Sequence, residues 1–249
     1  MPNWIATRIT VTGKKEKVDE LVNAIRSESE TTDASGNVKT ETNVFDFNKV
    51  IPMPEELSIE SGSTGEWGKR YLVLKSQDEN TWTKDDRKFV KDFEKKDKAD
   101  FDRCVELGQK YLDNIEKYGY QDWYSWSCAR WGTKWNSVCA QFDRITDTCA
   151  EYLFDTAWSF CAPVIEKLSE MFPDVEIEFA YSDEDCGCNC GSGKLKGGEY
   201  VEEYYPDNES KEAYELYIEL HPGSEDDLIY NEETGTYEWR DFDDEDDDV

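Results

Sequence analysis

The chain has 249 residues, with 58 Asp and Glu against 28 Lys and Arg and a formal net charge of −30. A charge this large repels phosphate backbones and anionic membrane surfaces, so it disfavours a general nucleic-acid binder and favours a basic partner surface. Aromatic residues make up 14% of the chain, enough for the core of one elaborated domain or two small ones although only 37% of residues are hydrophobic.

Met1-Pro2-Asn3-Trp4 runs directly into a strand, without the basic start and apolar run of a secretory signal. No stretch approaches the roughly 20 apolar residues of a membrane span. The eight cysteines therefore read as cytoplasmic thiols rather than as a disulfide framework. Ile5, Thr7, Ile9 and Val11 alternate along a strand over 4–12, which Gly13 ends. Val18, Leu21, Val22 and Ile25 form the apolar stripe of a helix over 15–27. Residues 27–43 are polar and read as a surface loop. A second strand is expected over 44–51, closed by Pro52 and Pro54, which cannot donate to a ladder.

Tyr71-Leu72-Val73-Leu74 reads as an extra strand or a buried turn. Two helical faces follow, one of Phe89, Val90 and Phe93, the other of Phe101, Val105, Gly108, Leu112 and Ile115. They predict a helical hairpin over about 79–119, inserted between the second and third core strands. From Thr83 to Lys117 it carries ten Lys or Arg and ten Asp or Glu, so the negative charge lies elsewhere.

The organising stretch runs from Arg130 to Phe172. Trp131 and Trp135 flank Gly132, which permits close backbone approach or an unusual dihedral. Val138, Ala140 and Phe142 alternate as on a half-buried strand. Tyr152, Phe154, Thr156 and Trp158 do the same over 148–158, and 143–147 turns one run onto the other. Pro163 suits the first turn of a helix over 162–172, whose face is Ile165, Leu168, Met171 and Phe172. A strand over 174–181 completes the order strand, helix, strand, strand, helix, strand.

From Glu199 to Val249 there are 21 Asp or Glu against 2 Lys or Arg. Within this acidic end Tyr214 to Leu220 alternates like a strand, and 228–230 pairs with 236–239 across a turn. Residues 241–248 are nearly all acidic and are expected to be disordered.

Four motifs carry a resemblance: Met1-Pro2-Asn3-Trp4; Phe47-Asn48-Lys49-Val50-Ile51-Pro52-Met53-Pro54; Trp131-Gly132-Thr133-Lys134-Trp135-Asn136; and Phe154-Asp155-Thr156-Ala157-Trp158, continued by Leu168-Ser169-Glu170-Met171-Phe172-Pro173. In this order they resemble the YubB/Api92-like family, over roughly residues 1–205. The resemblance implies a ferredoxin-like fold and carriage by phages and conjugative plasmids. It brings no catalytic residues with it. Two departures stand out: Phe160-Cys161-Ala162-Pro163 replaces the family's usual Pro-Pro, and Cys186-Gly187-Cys188-Asn189-Cys190 replaces an aromatic and glycine segment.

Cys186, Cys188 and Cys190 are the sharpest metal candidates, because thiolates bind zinc. Their spacing departs from the usual knuckle, which leaves two residues between ligands. A fourth ligand would come from Cys161, Asp183, Asp185 or elsewhere, and the competing reading is a glycine-rich loop with exposed thiols. His221, the single histidine, sits in a His-Pro-Gly turn that suits a surface or capping role better than acid–base catalysis. Asp183-Glu184-Asp185 and Glu225-Asp226-Asp227 could hold magnesium, or be solvated acidic loops. Trp4, Trp131, Trp135 and Trp158 could stack nucleobases beside Arg130, Lys134 and Arg144, or be core.

The reading is an α+β protein. A ferredoxin-like antiparallel sheet with two helices on one face and a helical-hairpin insertion spans 1–205, an acidic β extension spans 206–240, and an acidic tail spans 241–249. The expected function is that of a non-enzymatic, phage- or plasmid-encoded accessory protein without a cofactor. It would bind a basic protein surface, such as a host defence nuclease or a DNA-binding protein, with carboxylates standing in for phosphates. The expected partner-binding residues are Glu202, Glu203, Tyr204, Tyr205, Glu225, Asp226, Asp227 and Trp239. The alternatives are a single-stranded nucleic-acid binder using a tryptophan-lined sheet, and a metal-dependent enzyme, with zinc as the ion for the cysteines.

Overall fold

The computed structural model describes residues 3–32, 36 and 38–240. The chain forms two compact units, Met1–Pro52 with Arg130–Val249, and Met53–Ala129. The tail over 241–249, expected to be disordered, lies outside the described residues.

The first unit is α+β and ferredoxin-like. Strand β1 (Trp4–Thr12) begins it, followed by helix α1 (Lys15–Ala24). The chain then makes a two-stranded ribbon, β2 (Ser27–Thr32) and β3 (Val38–Asn43), and a single helical turn, α2 (Phe47–Val50). After the second unit come β4 (Val138–Thr146), β5 (Cys149–Ala157), helix α7 (Ala162–Met171) and β6 (Glu176–Asp183). Strands β7 (Gly191–Lys196) and β8 (Glu199–Tyr204) extend the sheet. Helix α8 (Lys211–Leu220) and the hairpin β9 (Leu228–Asn231) and β10 (Thr236–Trp239) follow.

The six-stranded sheet has the order β4-β5-β1-β6-β7-β8, and every neighbouring pair is antiparallel. Alternation along β1 decides its faces: Ile5, Ile9 and Val11 are fully buried, while Trp4, Ala6, Arg8 and Thr10 point the other way. Ile9 stands opposite Tyr152 of β5 and Phe179 of β6, so these rings share the inner face. Helices α1 and α7 both cover that face. Asp19 of α1 accepts a hydrogen bond from Arg144 at 2.7 Å, two residues beyond Phe142, whose ring packs on Tyr152. Phe160, at the entry to α7, stacks on Phe179 and Tyr181 at 5.0 and 4.5 Å.

Three expectations about the first unit need correction. The second core strand is β4, not residues 44–51. Phe45 and Phe47 are buried at period two, which mimics a strand, but Asp46 caps a helical turn by accepting from the Asn48 N–H at 3.0 Å. The Phe47 N–H goes to the Asn136 side chain at 2.8 Å rather than to a ladder. The insertion therefore lies between α1 and the second core strand. Residues 27–32 and 38–43, expected within a loop, are also strands: all of their described side chains are polar or exposed, and such a ribbon carries no apolar alternation to betray it. Finally, Tyr214 to Leu220 is helix α8. Ser210 caps it by accepting from the Ala213 N–H at 3.2 Å, and Ala213 and Leu220, seven apart, are the buried pair.

The second unit is helical. It contains α3 (Ser63–Lys75), α4 (Lys84–Phe93), α5 (Lys98–Tyr118) and α6 (Trp123–Arg130), the last reaching one residue past its boundary. The expected hairpin corresponds to α4 and α5, but Tyr71–Leu74 belongs to α3 rather than to a strand or turn. Thr83 and Asp86 form a reciprocal capping box at the start of α4. Gly119, at φ 79°, ends α5. The buried line of α5 is Cys104, Gly108, Tyr111 and Asn114, rotated from the expected face because Gly108 meets Gly68 of α3 backbone to backbone. Among the described residues no helix is long and apolar enough to cross a membrane.

Candidate functional site

The acidic face of the first unit is built around β8. Glu202, Glu203 and Tyr204 lie on that strand and Tyr205 follows it, with Tyr204 and Tyr205 47% and 56% exposed. The Tyr205 hydroxyl donates to Glu203 at 2.8 Å, and burial followed by that carboxylate pushes its pKa up to about 12.

Glu202 and Tyr204 line a groove of about 310 Å³ on the outer face of the sheet, with Leu216 and Glu219 of α8 as its wall. Two cations reach into it. Arg8 of β1 donates to Glu219 at 2.6 Å and lies 3.9 Å from Glu151. Lys194 of β7 meets Glu178 at 2.7 Å and Glu176 at 3.2 Å, and the hydrogen bond it donates to Glu178 leads the causes that raise its pKa. Each cation thus already has two carboxylates. The Glu202 carboxylate forms no ion pair among the described residues, so the groove rim keeps its negative charge.

Glu225, Asp226, Asp227 and Trp239 sit apart from that groove. Glu225 and Asp226 lie in a short 3-10 turn (Ser224–Asp226) that Asp227 ends. Glu225 accepts from the Gly223 N–H at 2.8 Å, and the Asp227 carbonyl accepts from the Arg240 N–H at 2.8 Å. Trp239, on β10, is 60% exposed. Tyr237 ties this hairpin to α8 through Tyr214, at 5.9 Å between ring centroids, and also packs on Tyr230 at 5.3 Å. The structure therefore distributes the eight expected residues over two acidic patches.

The cysteines do not form a centre. Cys190 is buried, its thiol directed at the Ala213 carbonyl at 3.9 Å. Burial raises the pKa of Cys188 and Cys190 and pushes Cys186 up to about 11, so the thiol form dominates at neutral pH. Asp183 is engaged in structure: it accepts from the Asn3 and Asn189 side-chain amides and from the Asp185 N–H, at 3.3, 3.0 and 3.0 Å. Among the described residues no three His, Cys, Asp or Glu side chains converge as metal ligands.

The tryptophans are not one platform. Trp131 is 5% exposed and donates from Nε1 to the Ile51 carbonyl at 2.9 Å, its ring packed on Phe47. Trp4 and Trp135 pack on each other at 5.8 Å. Trp158 is 43% exposed, and Lys134 lies between its ring and that of Trp135, at 4.7 and 4.4 Å from the centroids. Trp158 also has a φ of 74°, a left-handed conformation that bulky side chains rarely adopt.

Residues 131–222 match a family model described as the ferredoxin-like domain in Api92-like protein. This region is similar to the ferredoxin-like domain of Api92-like proteins. It covers β4 through α8, and so contains the sheet edge β8 and the groove wall, but not β1 at the centre of the sheet. The crystal structure of a protein api92 from Yersinia pseudotuberculosis is similar over 83% of this chain and 99% of its own, at 10% identity and a TM-score of 0.43. No curated protein matches the chain.

In this region the Trp-Gly-Thr-Lys-Trp-Asn segment acts as a framework. Thr133 donates from its hydroxyl to the Ala157 carbonyl at 2.8 Å and accepts from the Ala157 N–H at 3.1 Å. Asn136 accepts from the Phe47 and Ser137 N–H groups and donates to Asp46 at 2.7 Å. Gly132, at φ 76°, leaves no room for a Cβ, which would lie 2.9 Å from Pro163. Dihedral and close approach both demand glycine here.

The single histidine of the chain caps α8. The N–H of His221 bonds to the Tyr217 carbonyl at 2.9 Å and its ring stacks on Tyr217 at 4.2 Å. Burial lowers its pKa below the ordinary 6.5, outweighing the backbone of Ser182 and the carboxylate of Asp155, which pull upward. The neutral ring is the folded form, so its stabilisation is full above about pH 6.5 and is lost as pH falls through the folded pKa. Proton NMR of the one imidazole should titrate with a midpoint below 6.5, and a midpoint at or above it would contradict this packing.

Proposed function

We infer that this is an acidic accessory protein that captures a basic protein surface. The target class is a host defence nuclease or another DNA-binding protein, met by carboxylates arranged where phosphates would otherwise lie. The observation that carries the reading is charge segregation onto folded elements. Within 199–240 there are 14 Asp or Glu and 2 Lys or Arg, interleaved with exposed Tyr204, Tyr205, Tyr230 and Trp239. Such rings can anchor an interface while carboxylates meet Arg and Lys. General solubility does not require this separation, because the helical segment from Thr83 to Lys117 carries balanced charge. Phage or plasmid carriage, and hence action in a host cytoplasm, rests on the family resemblance.

Binding of this kind weakens as salt rises, because the carboxylates are exposed. The test is the combined variant Glu202→Gln, Glu203→Gln, Glu225→Gln, Asp226→Asn and Asp227→Asn, compared with the parent for capture of host DNA-binding proteins that duplex DNA displaces. The parent is expected to capture them and the variant to lose most of that capture. Undiminished capture by the variant sinks the acidic-surface reading.

A second reading is favoured by one observation, the exposed Trp158 with Lys134 between two indoles, which could stack a base beside a cation. Micromolar binding of single-stranded RNA or DNA by the unmodified protein would put this reading first.

A further inference from the structure

We propose that the basic partner docks as an added strand on β8, through an extended segment carrying Lys or Arg at alternate positions. This rests on the acidic-surface reading and specifies how that surface is used.

Strand β8 closes one end of the six-stranded sheet and pairs with β7 alone. One row of its backbone N–H and C=O groups therefore faces away from β7, which is the template on which a further strand can be laid. Most of the strand is open: Val201 is 62% and Tyr204 47% exposed, and Glu199, Glu202 and Glu203 are exposed as well.

The opposite edge is built differently. Along β4 the pairing with β5 slips twice, and Cys139 has a φ of 52°. Such irregularities twist an edge out of register with any incoming strand. Strand β8 has one register slip, between its pairs with Lys194 and Leu195, and otherwise relies on charge. Three glutamates in six residues would place like charges near one another in a β8–β8 pair, which is unfavourable. The edge therefore rejects copies of itself and remains open to a strand of opposite charge.

The inner side of β8 already displays that chemistry. Across the β7 ladder Lys194 stands opposite Glu202 and Lys196 opposite Glu199. The Lys194 ammonium, however, turns to Glu178 and Glu176 of β6. Glu199, Glu202 and Glu203 are left without an ion pair among the described residues. A partner segment with the same Lys-x-Lys spacing, laid on the outer side, would repeat the β7 arrangement and supply the missing cations.

Two synthetic peptides of equal length and charge separate strand addition from simple charge attraction. One is Thr-Lys-Val-Lys-Val-Lys-Thr; in the other both valines are proline, which cannot pair in a ladder. Affinity is measured by fluorescence anisotropy at fixed salt, together with amide exchange of β8. The valine peptide is expected to bind about tenfold tighter or more, and to slow exchange on β8. The combined variant Glu199→Gln, Glu202→Gln and Glu203→Gln is expected to lose that binding while keeping the parent's circular dichroism. Equal affinity for the two peptides overturns strand docking and leaves the acidic-surface reading standing. Failure of both peptides to bind overturns both.

Discussion

Gly108→Ala is expected to destabilise the helical unit by a net of about 2 kcal/mol. A Cβ on Gly108 would fall inside the envelope of the Gly68 backbone carbon and the Lys69 nitrogen. A Cβ on Gly68 would fall onto the Cys104 carbonyl. These are backbone atoms, so no side-chain rotation relieves the overlap, and α3 and α5 must move apart. Forced overpacking of this kind costs about 3 kcal/mol at its upper end. Alanine recovers about 1 kcal/mol of helix propensity over glycine, which is too little to offset it. The separation also strains Tyr111, whose hydroxyl donates to the Glu60 carbonyl at 2.7 Å and accepts from the Gly62 N–H at 3.1 Å. Chemical denaturation followed by far-UV circular dichroism measures the effect. A neutral or stabilising result would show that the two helices do not touch at these glycines.

Phe47→Ala should cost the ferredoxin-like unit about 3–5 kcal/mol, the range for emptying a large aromatic from a core. Phe47 is fully buried, and its ring meets Phe45, Trp131 and Phe154 at 5.1, 5.8 and 5.9 Å. Trp131 and Phe154 belong to segments distant in sequence from Phe45 and Phe47, so the cavity has several walls that cannot all collapse into it. Phe47→Leu retains part of the volume and should cost distinctly less. A loss under about 1 kcal/mol for the alanine variant, from denaturant titration of tryptophan fluorescence, would show that Phe47 is peripheral.

Phe47 also shows why the sheet was legible only in part. Strands β1, β5 and β6 each bury one face, so their period-two patterns are unambiguous, and α7 shows its apolar face after a proline. The segment around Phe45 and Phe47 buries alternate rings without entering a sheet, because Asp46 and Asn136 take its backbone N–H groups. That exchange depends on a residue about ninety positions away, and no local pattern reveals it. Strand β4 showed its alternation, yet its place in the core could not be assigned while 44–51 was a rival. Strands β7 and β8 are rich in Gly, Lys and Glu and show little hydrophobic signal. For the candidate site, charge counting found Glu202 and Tyr204. It could not find Arg8, Lys194 or Glu219, which come from a central strand, an inner strand and a helix that local reading took for a strand.

The position of β1 has a consequence for how the chain is made. This strand leaves the ribosome well before its two neighbours, residues 149–157 and 176–183. At 5–20 residues per second, synthesis of the intervening chain takes on the order of ten seconds. Throughout that interval Ile5, Ile9 and Val11 have no sheet to join, and an unpaired apolar strand is an invitation to pair with a strand from another nascent chain. The helical unit, whose contacts are local, can form during the wait and shorten the loop that must later be closed. The acidic β8 and α8 emerge only when β1 is about to be paired. The charge that the finished protein presents to a partner therefore contributes little to keeping its own unfinished copies apart.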